Sequence, residues 1–209
     1  MKNIPFILPP QDILKPNHIK EDPLRYYYRP LIGYLYRKRI QNGLDMLESH
    51  YHRILEFGYG SGILLPSLAK LSHNLHGIDI ASKPSVVNNA LNKLNIKANL
   101  AKGDITRAKY PSNYFDLIIA FSVFEHITNP DAIFSTMHRI LKPDGTLLVG
   151  MPRVDRFMDT LFMFIGYSNI DDFHVLDHKI FINKASRLFS LQKQTTMAGL
   201  YFTMLFRKK

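Results

Sequence analysis

The feature that most constrains the fold is an alternation of short apolar runs with helical patterns between residues 53 and 150. Runs typical of strands lie at residues 53–57, 75–79, 98–101, 115–121 and 146–150, and helical patterns lie at 61–71, 83–94 and 130–141. The run FDLIIAF at 115–121 is nearly all apolar, as expected for a strand buried on both faces. This alternation predicts a doubly wound, mostly parallel α/β sheet.

The segments that flank the alternation have different patterns. Residues 1–23 contain five prolines, which predicts an extended arm, and residues 26–49 have a helical pattern broken near Pro30 and Gly33, with a basic outer face at 37–39. After Pro152, residues 184–191 predict a helix, and 192–197 with 201–206 predict a closing hairpin. We expect an N-terminal arm and helical cap at 1–50, and a main domain at 51–209 with an insert at 153–184.

Composition narrows the class of protein. The chain has 209 residues, 46% of them hydrophobic, which fits one domain with a sizeable core. It contains no Cys, so disulfides, thiolate metal sites and thiol catalysis are excluded. The N-terminus lacks the apolar core of a signal peptide, and a cytoplasmic protein is expected. The net charge of +10 is spread along the chain, which favours a solvated basic surface and leaves RNA or an anionic membrane as the alternative partners.

A glycine loop follows the first predicted strand, in the stretch ILEFGYGSG at residues 54–62. Gly58 permits a backbone angle closed to other residues, Gly60 permits close approach of a ligand, and the next helix offers N-terminal amides to an anion. A dinucleotide site would need Gly or Ala where Ile63 stands, and the Gly-Lys-Ser/Thr of a phosphate loop is absent.

Two carboxylates beside the loop restrict the ligand further. Asp79 ends the second strand, 17 residues after Gly62, where it can accept both hydroxyl groups of a ribose. Glu56 precedes the loop and favours a cation, which a pyrophosphate lacks and an ammonium group supplies. S-adenosylmethionine carries both groups. The alternatives to ligand binding are purely structural: the glycines could form a tight turn, and Asp79 could cap the end of the strand.

Five stretches together carry a resemblance to a known family. They are EFGYGSG at 56–62, GIDI at 77–80, KGDI at 102–105, FDLIIAFSVFEHITNP at 115–130 and LKPDGTLLV at 141–149. From about residue 26 to its C-terminus the chain resembles class I S-adenosylmethionine-dependent methyltransferases. The resemblance implies a Rossmann-like, doubly wound seven-stranded sheet with a C-terminal antiparallel strand, an N-terminal helical cap, S-adenosylmethionine as cofactor and S-adenosylhomocysteine as product.

The resemblance also implies a set of cofactor-binding residues. Asp79 would bind the ribose, Asp104 the adenine amino group, and Ile105 would pack on the adenine ring. Tyr59 is bulky where the family often has a small residue, so it is expected to narrow the loop or shield the methionine end. The full set is Glu56, Gly58, Tyr59, Gly60, Gly62, Asp79, Ile80, Asp104, Ile105 and Phe121.

The residues after the fourth strand bear on the methyl acceptor. The Asn/Asp-Pro-Pro-Tyr/Phe motif of base methyltransferases is absent, and EHITNP is similar to small-molecule methyltransferases directed at quinones or lipids, the methyltransferase-11-like subgroup. His126 is the first candidate base, with a capping or core histidine as the alternative. Glu125 would orient His126 or bind the acceptor. No metal is expected, because Ser122 stands where a metal-binding relative would have Glu.

The insert offers further candidates. His174 and His178 are spaced four apart, so they would lie on one face if the segment is helical. His174 is a second catalytic candidate, and the alternatives for the pair are a metal site or a polar loop over the acceptor pocket. Residues 157–166 are rich in Phe and Met, typical of a core helix or of a lid over an apolar acceptor. A small or lipid-like acceptor, with peripheral membrane contact left open, is favoured over a nucleic-acid methyltransferase and a non-catalytic accessory subunit.

Overall fold

The computed structural model of the chain describes residues 4–17, 22–153 and 175–209. The strands are β1 Ile54–Phe57, β2 Leu75–Asp79, β3 Ala98–Lys102, β4 Phe115–Phe121, β5 Leu141–Pro152, β6 Phe189–Met197 and β7 Tyr201–Lys208. The helices are α1 Leu24–Tyr27, α2 Pro30–Leu44, α3 Leu65–Leu68, α4 Pro84–Lys93, α5 Asp131–Ile140 and α6 His178–Ala185. Short 3-10 turns occupy Ile105–Arg107 and Phe124–His126.

The strands form one seven-stranded sheet in the order β3–β2–β1–β4–β5–β7–β6. The first five strands pair in parallel, and β7 is antiparallel to both β5 and β6. The chain moves outward from β1 to β3 and then crosses back to β4, so strand order reverses between β1 and β4. Ligands of open α/β sheets bind at the carboxyl ends of the strands at such a point. The predicted fold class is confirmed.

Two apolar clusters cover the sheet. Along β4, Leu117 and Ile119 belong to the cluster that includes residues of α2, α3 and α4, whereas Ile118 belongs to the cluster that includes residues of α5 and α6. This alternation is the period of two that a strand imposes on its side chains. β4 is therefore buried on both faces, as its apolar sequence predicts.

Several predicted boundaries differ from the structure; β5, for example, is longer than the predicted 146–150. The helix predicted at 61–71 is reduced to α3, and the helix predicted at 184–191 lies at 178–185. The side chain of Asp177 accepts a hydrogen bond from the Lys179 amide and so caps the start of α6, while the fully buried Phe189 begins β6. The helical cap is interrupted before Pro30, which begins α2, and Gly33 lies within that helix.

The N-terminal arm packs along the helical cap. The Phe6 amide donates to Oε1 of Gln41 at 2.7 Å, and the Ile7 amide donates to Oγ of Ser67 at 2.8 Å. The division of the chain into residues 1–50 and 51–209 stays a prediction.

Candidate functional site

The ligand-binding residues implied by the resemblance follow the carboxyl ends of β1 to β4. The glycine loop follows β1, Asp79 ends β2, Asp104 follows β3, and the 3-10 turn with Glu125 and His126 follows β4. Because the ends of parallel strands meet at one edge of a sheet, these segments share that edge.

The three glycines of the loop have different neighbours. A Cβ on Gly58 would collide with the Val123 side chain, and one on Gly62 would lie 2.5 Å from Cγ1 of Val87 in α4. Gly60 has a positive φ of 51°, and a Cβ there would have no atom within 4 Å. Gly58 and Gly62 therefore permit close packing of the loop, whereas the backbone at Gly60 is accessible to a ligand.

Asp79 organises the loops around that space. Its Oδ2 accepts a hydrogen bond from the Gly60 amide at 3.0 Å, and its Oδ1 accepts from the amides of Ala81 and Ser82, both at 2.8 Å. A carboxylate has about four acceptor positions, so capacity remains for a ligand hydroxyl group. The strand-end cap weighed from the sequence is thus present, and it does not exclude ligand binding.

Asn17 in the N-terminal arm supports the same loops and was not identified from the sequence. Its Nδ2 donates to the carbonyls of Gly60 and Lys83, both at 3.2 Å, and its Oδ1 accepts from the Lys83 amide at 3.1 Å. The side chain is 1% exposed. A lone Asn in a proline-rich arm gives no sequence signal for this role, because the contacts span more than forty residues of chain.

Glu56 is a buried carboxylate near the end of β1. Its Oε2 has no hydrogen-bond partner among the residues that the structure describes. Burial, and then the charge of Asp79, raise the pKa of Glu56 well above its ordinary value. An unpaired buried carboxylate is costly, and an ammonium group would supply both the missing charge and the missing donors.

Two side chains of the implied cofactor set point elsewhere. Tyr59 is 1% exposed, and a Cβ on Gly77 would lie 2.8 Å from its Cδ1. Its ring therefore packs across β2, and its expected role of narrowing the loop or shielding the methionine end stays a prediction. Ile105 is also 1% exposed and belongs to the core, because the 3-10 turn directs it inward, so its side chain does not offer a surface to a ring.

The remaining side chains of the implied cofactor set differ in their exposure to solvent. Ile80 is 74% exposed. Asp104 is exposed, and the hydrogen bond from the Thr106 amide holds the pKa of its carboxyl below the ordinary value. The partly buried Phe121 ring packs between α2 and β5, where a Cβ on Gly43 would lie 2.5 Å from its Cζ.

The turn after β4 places the two candidate catalytic residues in contrasting environments. His126 is exposed, whereas Glu125 is 1% exposed and its Oε2 has no hydrogen-bond partner among the described residues. Burial raises the pKa of Glu125 to about 7. Nearby, Oγ of Ser122 lies 3.1 Å from the hydroxyl of Tyr201 in β7.

Arg39 of α2 is directed inward, contrary to the basic outer face predicted at 37–39. Its guanidinium lies over the rings of Tyr36 at 4.1 Å and Tyr201 at 5.0 Å, and its Nη2 donates to the hydroxyl of Tyr27 at 3.1 Å. Cation–π stacking explains how a charged side chain packs here. These contacts connect the helical cap to the first residue of β7.

The second histidine pair falls only partly within the structure. His174, and the apolar stretch at 157–166, lie outside the described residues. The ring of His178 stacks on Phe202 with centroids 3.7 Å apart, and its Nδ1 lies 3.0 Å from Oδ2 of Asp177. Across residues 4–17, 22–153 and 175–209, no group of three or more His, Cys, Asp or Glu side chains could hold a metal ion.

Known proteins resemble this chain in sequence and in fold. A model of the methyltransferase domain family matches residues 20–188. A ubiquinone biosynthesis O-methyltransferase of Glaesserella parasuis is 31% identical over 150 residues, covering 67% of this chain and 56% of that protein. A phosphoethanolamine N-methyltransferase of Plasmodium falciparum is 31% identical over 116 residues, covering 54% of this chain and 42% of that protein. The chain spans about half the length of the curated relatives it matches.

A solved structure of the N-methyltransferase NodS from Bradyrhizobium japonicum, in complex with S-adenosylhomocysteine, has a similar fold. It superposes with a TM-score of 0.66 at 19% identity, covering 92% of this chain and 94% of that chain.

Proposed function

The chain belongs to the methyltransferase domain family, the class I S-adenosylmethionine-dependent methyltransferases, and from this we propose that it methylates a small, lipophilic acceptor. The observation that carries the cofactor part of the proposal is a buried carboxylate oxygen next to an accessible backbone loop. Oε2 of Glu56 has no hydrogen-bond partner among the described residues, and Gly60 leaves open space beside Asp79. S-adenosylmethionine would fit both features, because its ammonium group can bind the Glu56 carboxylate and its nucleoside can occupy the space beside Asp79.

The residues at the edge of the sheet fit the cofactor. Glu56 would bind its ammonium group, Asp79 a ribose hydroxyl and Asp104 its adenine amino group, across the open space at Gly60 and Gly103. When bound, the cofactor supplies an electrophilic methyl group on a sulfonium. The chain's own contribution is to align the acceptor with that methyl group and to exclude water.

The acceptor's proton is the remaining chemical requirement. We propose His126 as the base, because it is exposed at the edge of the sheet and an imidazole nitrogen can accept a proton. The buried carboxyl of Glu125 precedes it in the same turn and interacts with it electrostatically, which would stabilise the imidazolium. His174 stays a proposal for a second catalytic residue.

The class of acceptor is inferred from the relatives. The ubiquinone biosynthesis enzyme is named for O-methylation, and the phosphoethanolamine enzyme for N-methylation. We propose a lipophilic hydroxyl compound first and an amine second. Peripheral contact with a membrane would supply such an acceptor to a cytoplasmic enzyme. No helix among the described residues is long and apolar enough to cross a membrane.

Calorimetric titration with S-adenosylmethionine and S-adenosylhomocysteine, with NADH as the control, tests the cofactor. Binding of the first two alone would support the proposal, and turnover would then be sought on lipophilic phenols and acids. Absence of binding to either would refute the function and leave the fold standing. His126→Gln then tests the base: full cofactor affinity with a large loss of turnover is expected, whereas unchanged turnover would exclude His126.

A further inference from the structure

The outer face of α2 carries an exposed apolar stripe. Leu31 is 85% exposed, Tyr34 60% and Leu35 43%. Residues three and four apart in a helix are neighbours on its surface, so these side chains form one continuous patch. The other exposed large hydrophobic residues among the described parts of the chain are dispersed over other elements: Ile80, Val175, Ile180 and Leu191.

Basic side chains flank this stripe. Lys38 continues the same face one turn further on, and Arg29 immediately precedes the helix; both are exposed. The sequence of α2, PLIGYLYRKRIQNGL, contains no acidic residue. The α2 outer face, defined here as Arg29, Leu31, Tyr34, Leu35 and Lys38, is therefore apolar in its centre and positive at both ends.

Another side of α2 packs beside the candidate site, where a Cβ on Gly43 would lie 2.5 Å from Cζ of Phe121 at the end of β4. Arg39, one turn beyond Leu35, extends from the flank of the helix to contact Tyr27 and Tyr201. The helix that carries the outer face therefore also packs against the end of β4, near which the acceptor is proposed to bind.

We propose that the α2 outer face binds the surface of an anionic lipid bilayer. An amphipathic helix whose apolar residues are flanked by Lys and Arg can lie in the interface plane, where the leucines enter the acyl boundary and the cations remain with anionic headgroups. A tyrosine suits the same position, because its ring is apolar and its hydroxyl stays hydrated. Two copies of this face would bring like charges together, which disfavours self-association as its purpose.

Only the purpose of this contact, the supply of a lipophilic acceptor, rests on the proposed function. Binding to vesicles needs neither acceptor nor cofactor. The two proposals can therefore fail separately, and cofactor titration without lipid is measured on every variant.

The test is co-flotation of the full chain with phosphatidylcholine vesicles that contain phosphatidylglycerol, compared with pure phosphatidylcholine vesicles. We expect at least about tenfold stronger partitioning to the anionic vesicles, weakening as salt is raised. Equal partitioning to both vesicle types, or none to either, would overturn the proposal.

Paired substitutions assign the surface. Leu31→Asp with Leu35→Asp, and separately Arg29→Glu with Lys38→Glu, should each reduce partitioning about tenfold or more. The matched controls are Ile180→Asp, at a side chain 51% exposed on α6, and Lys93→Glu with Lys97→Glu, at exposed lysines; these should bind as the unmodified chain does. Partitioning unchanged in both test pairs would refute the assignment. Concentration-dependent dimerisation that the leucine pair abolishes, without vesicle binding, would assign the face to a second copy instead.

Discussion

Two glutamates at the edge of the sheet, Glu56 and Glu125, are buried, and each has one carboxylate oxygen, Oε2, without a hydrogen bond among the described residues. A buried polar group in this state costs free energy of folding, and its persistence is typical of a functional site. The cost at Glu56 would be recovered when a cation binds.

Glu56→Gln should separate stability from binding. The amide removes the buried charge, so we expect the free energy of unfolding at neutral pH to be retained or increased. Affinity for S-adenosylhomocysteine should fall about tenfold to a hundredfold, as expected for a lost charge-assisted hydrogen bond. Thermal denaturation and calorimetry measure the two effects. Glu48→Gln, at an exposed side chain, is the control. An affinity of Glu56→Gln equal to that of the control would contradict the proposal that Glu56 binds the ammonium group of the ligand.

Glu125→Gln should remove a pH dependence of stability. Burial raises the pKa of Glu125 to about 7, above the ordinary value of 4.5, so the folded protein binds more protons than the unfolded chain between these pH values. This group therefore adds to the free energy of unfolding in full below pH 4.5, and its contribution is lost as the pH rises through about 7. The size of the contribution is about 1–3 kcal/mol. Denaturant unfolding across this range should show that slope in the unmodified chain and a smaller one in Glu125→Gln. Identical slopes would place the pKa near its ordinary value.

The glycine loop illustrates how one element combines packing with access. Gly58 and Gly62 lie against Val123 and Val87, where a side chain would not fit, whereas Gly60 faces open space and donates its amide to Asp79. The loop is held by the carboxylate at the end of β2 and by Asn17 of the arm, so two distant segments help to determine its shape.

Gly60→Ala tests whether the open space belongs to the ligand. Gly199 in the β6–β7 turn is a matched control, since both glycines have positive φ, 51° and 70°, and neither would place a Cβ within 4 Å of another atom. Each substitution should destabilise the fold by about 1 kcal/mol through backbone strain. Only Gly60→Ala should weaken binding of S-adenosylhomocysteine, by about tenfold or more, because its methyl group would occupy the ligand's space. Equal affinities in the two variants would show that the space is not used.

At the scale of the whole molecule, elements from both ends of the chain support the edge of the sheet that carries the candidate site. The arm contributes Asn17, the helical cap contributes Arg39, and β7 contributes Tyr201. A ligand that binds at this edge should stabilise the entire fold, because its site forms only when these supporting elements are in place.

Ligand binding should therefore appear in global unfolding. At a free S-adenosylhomocysteine concentration of a hundred times Kd, the free energy of unfolding should rise by about 2.7 kcal/mol. For a chain of this size that corresponds to an increase in Tm of about 5–10 °C. Differential scanning fluorimetry over a range of concentrations measures the shift. NADH should produce none, and a shift with NADH of similar size would contradict the cofactor assignment.

Sequence periodicity predicted the central sheet well, because those signals are local. The bounds of β2 and β4 agree with the predicted 75–79 and 115–121, since apolar runs bounded by polar residues mark a buried strand. Helix ends were predicted less well. The ends of α3 and α6 depend on the path of the loop and on the cap at Asp177, and neither is encoded by apolar spacing.

The sequence by itself determined the fold class, the family and the edge of the sheet at which the site lies, because glycines and carboxylates after successive strands are local patterns. Tertiary structure alone decided which of those side chains are buried and which stay accessible. It buried Tyr59 and Ile105 in the core, turned Arg39 inward onto tyrosines, and joined Asn17 to the glycine loop. Side-chain direction depends on which neighbour fills the adjacent space, and those neighbours lie far away in the sequence. The outer face of α2 is apolar for the same reason, since only the packed fold shows which side of a helix is left uncovered.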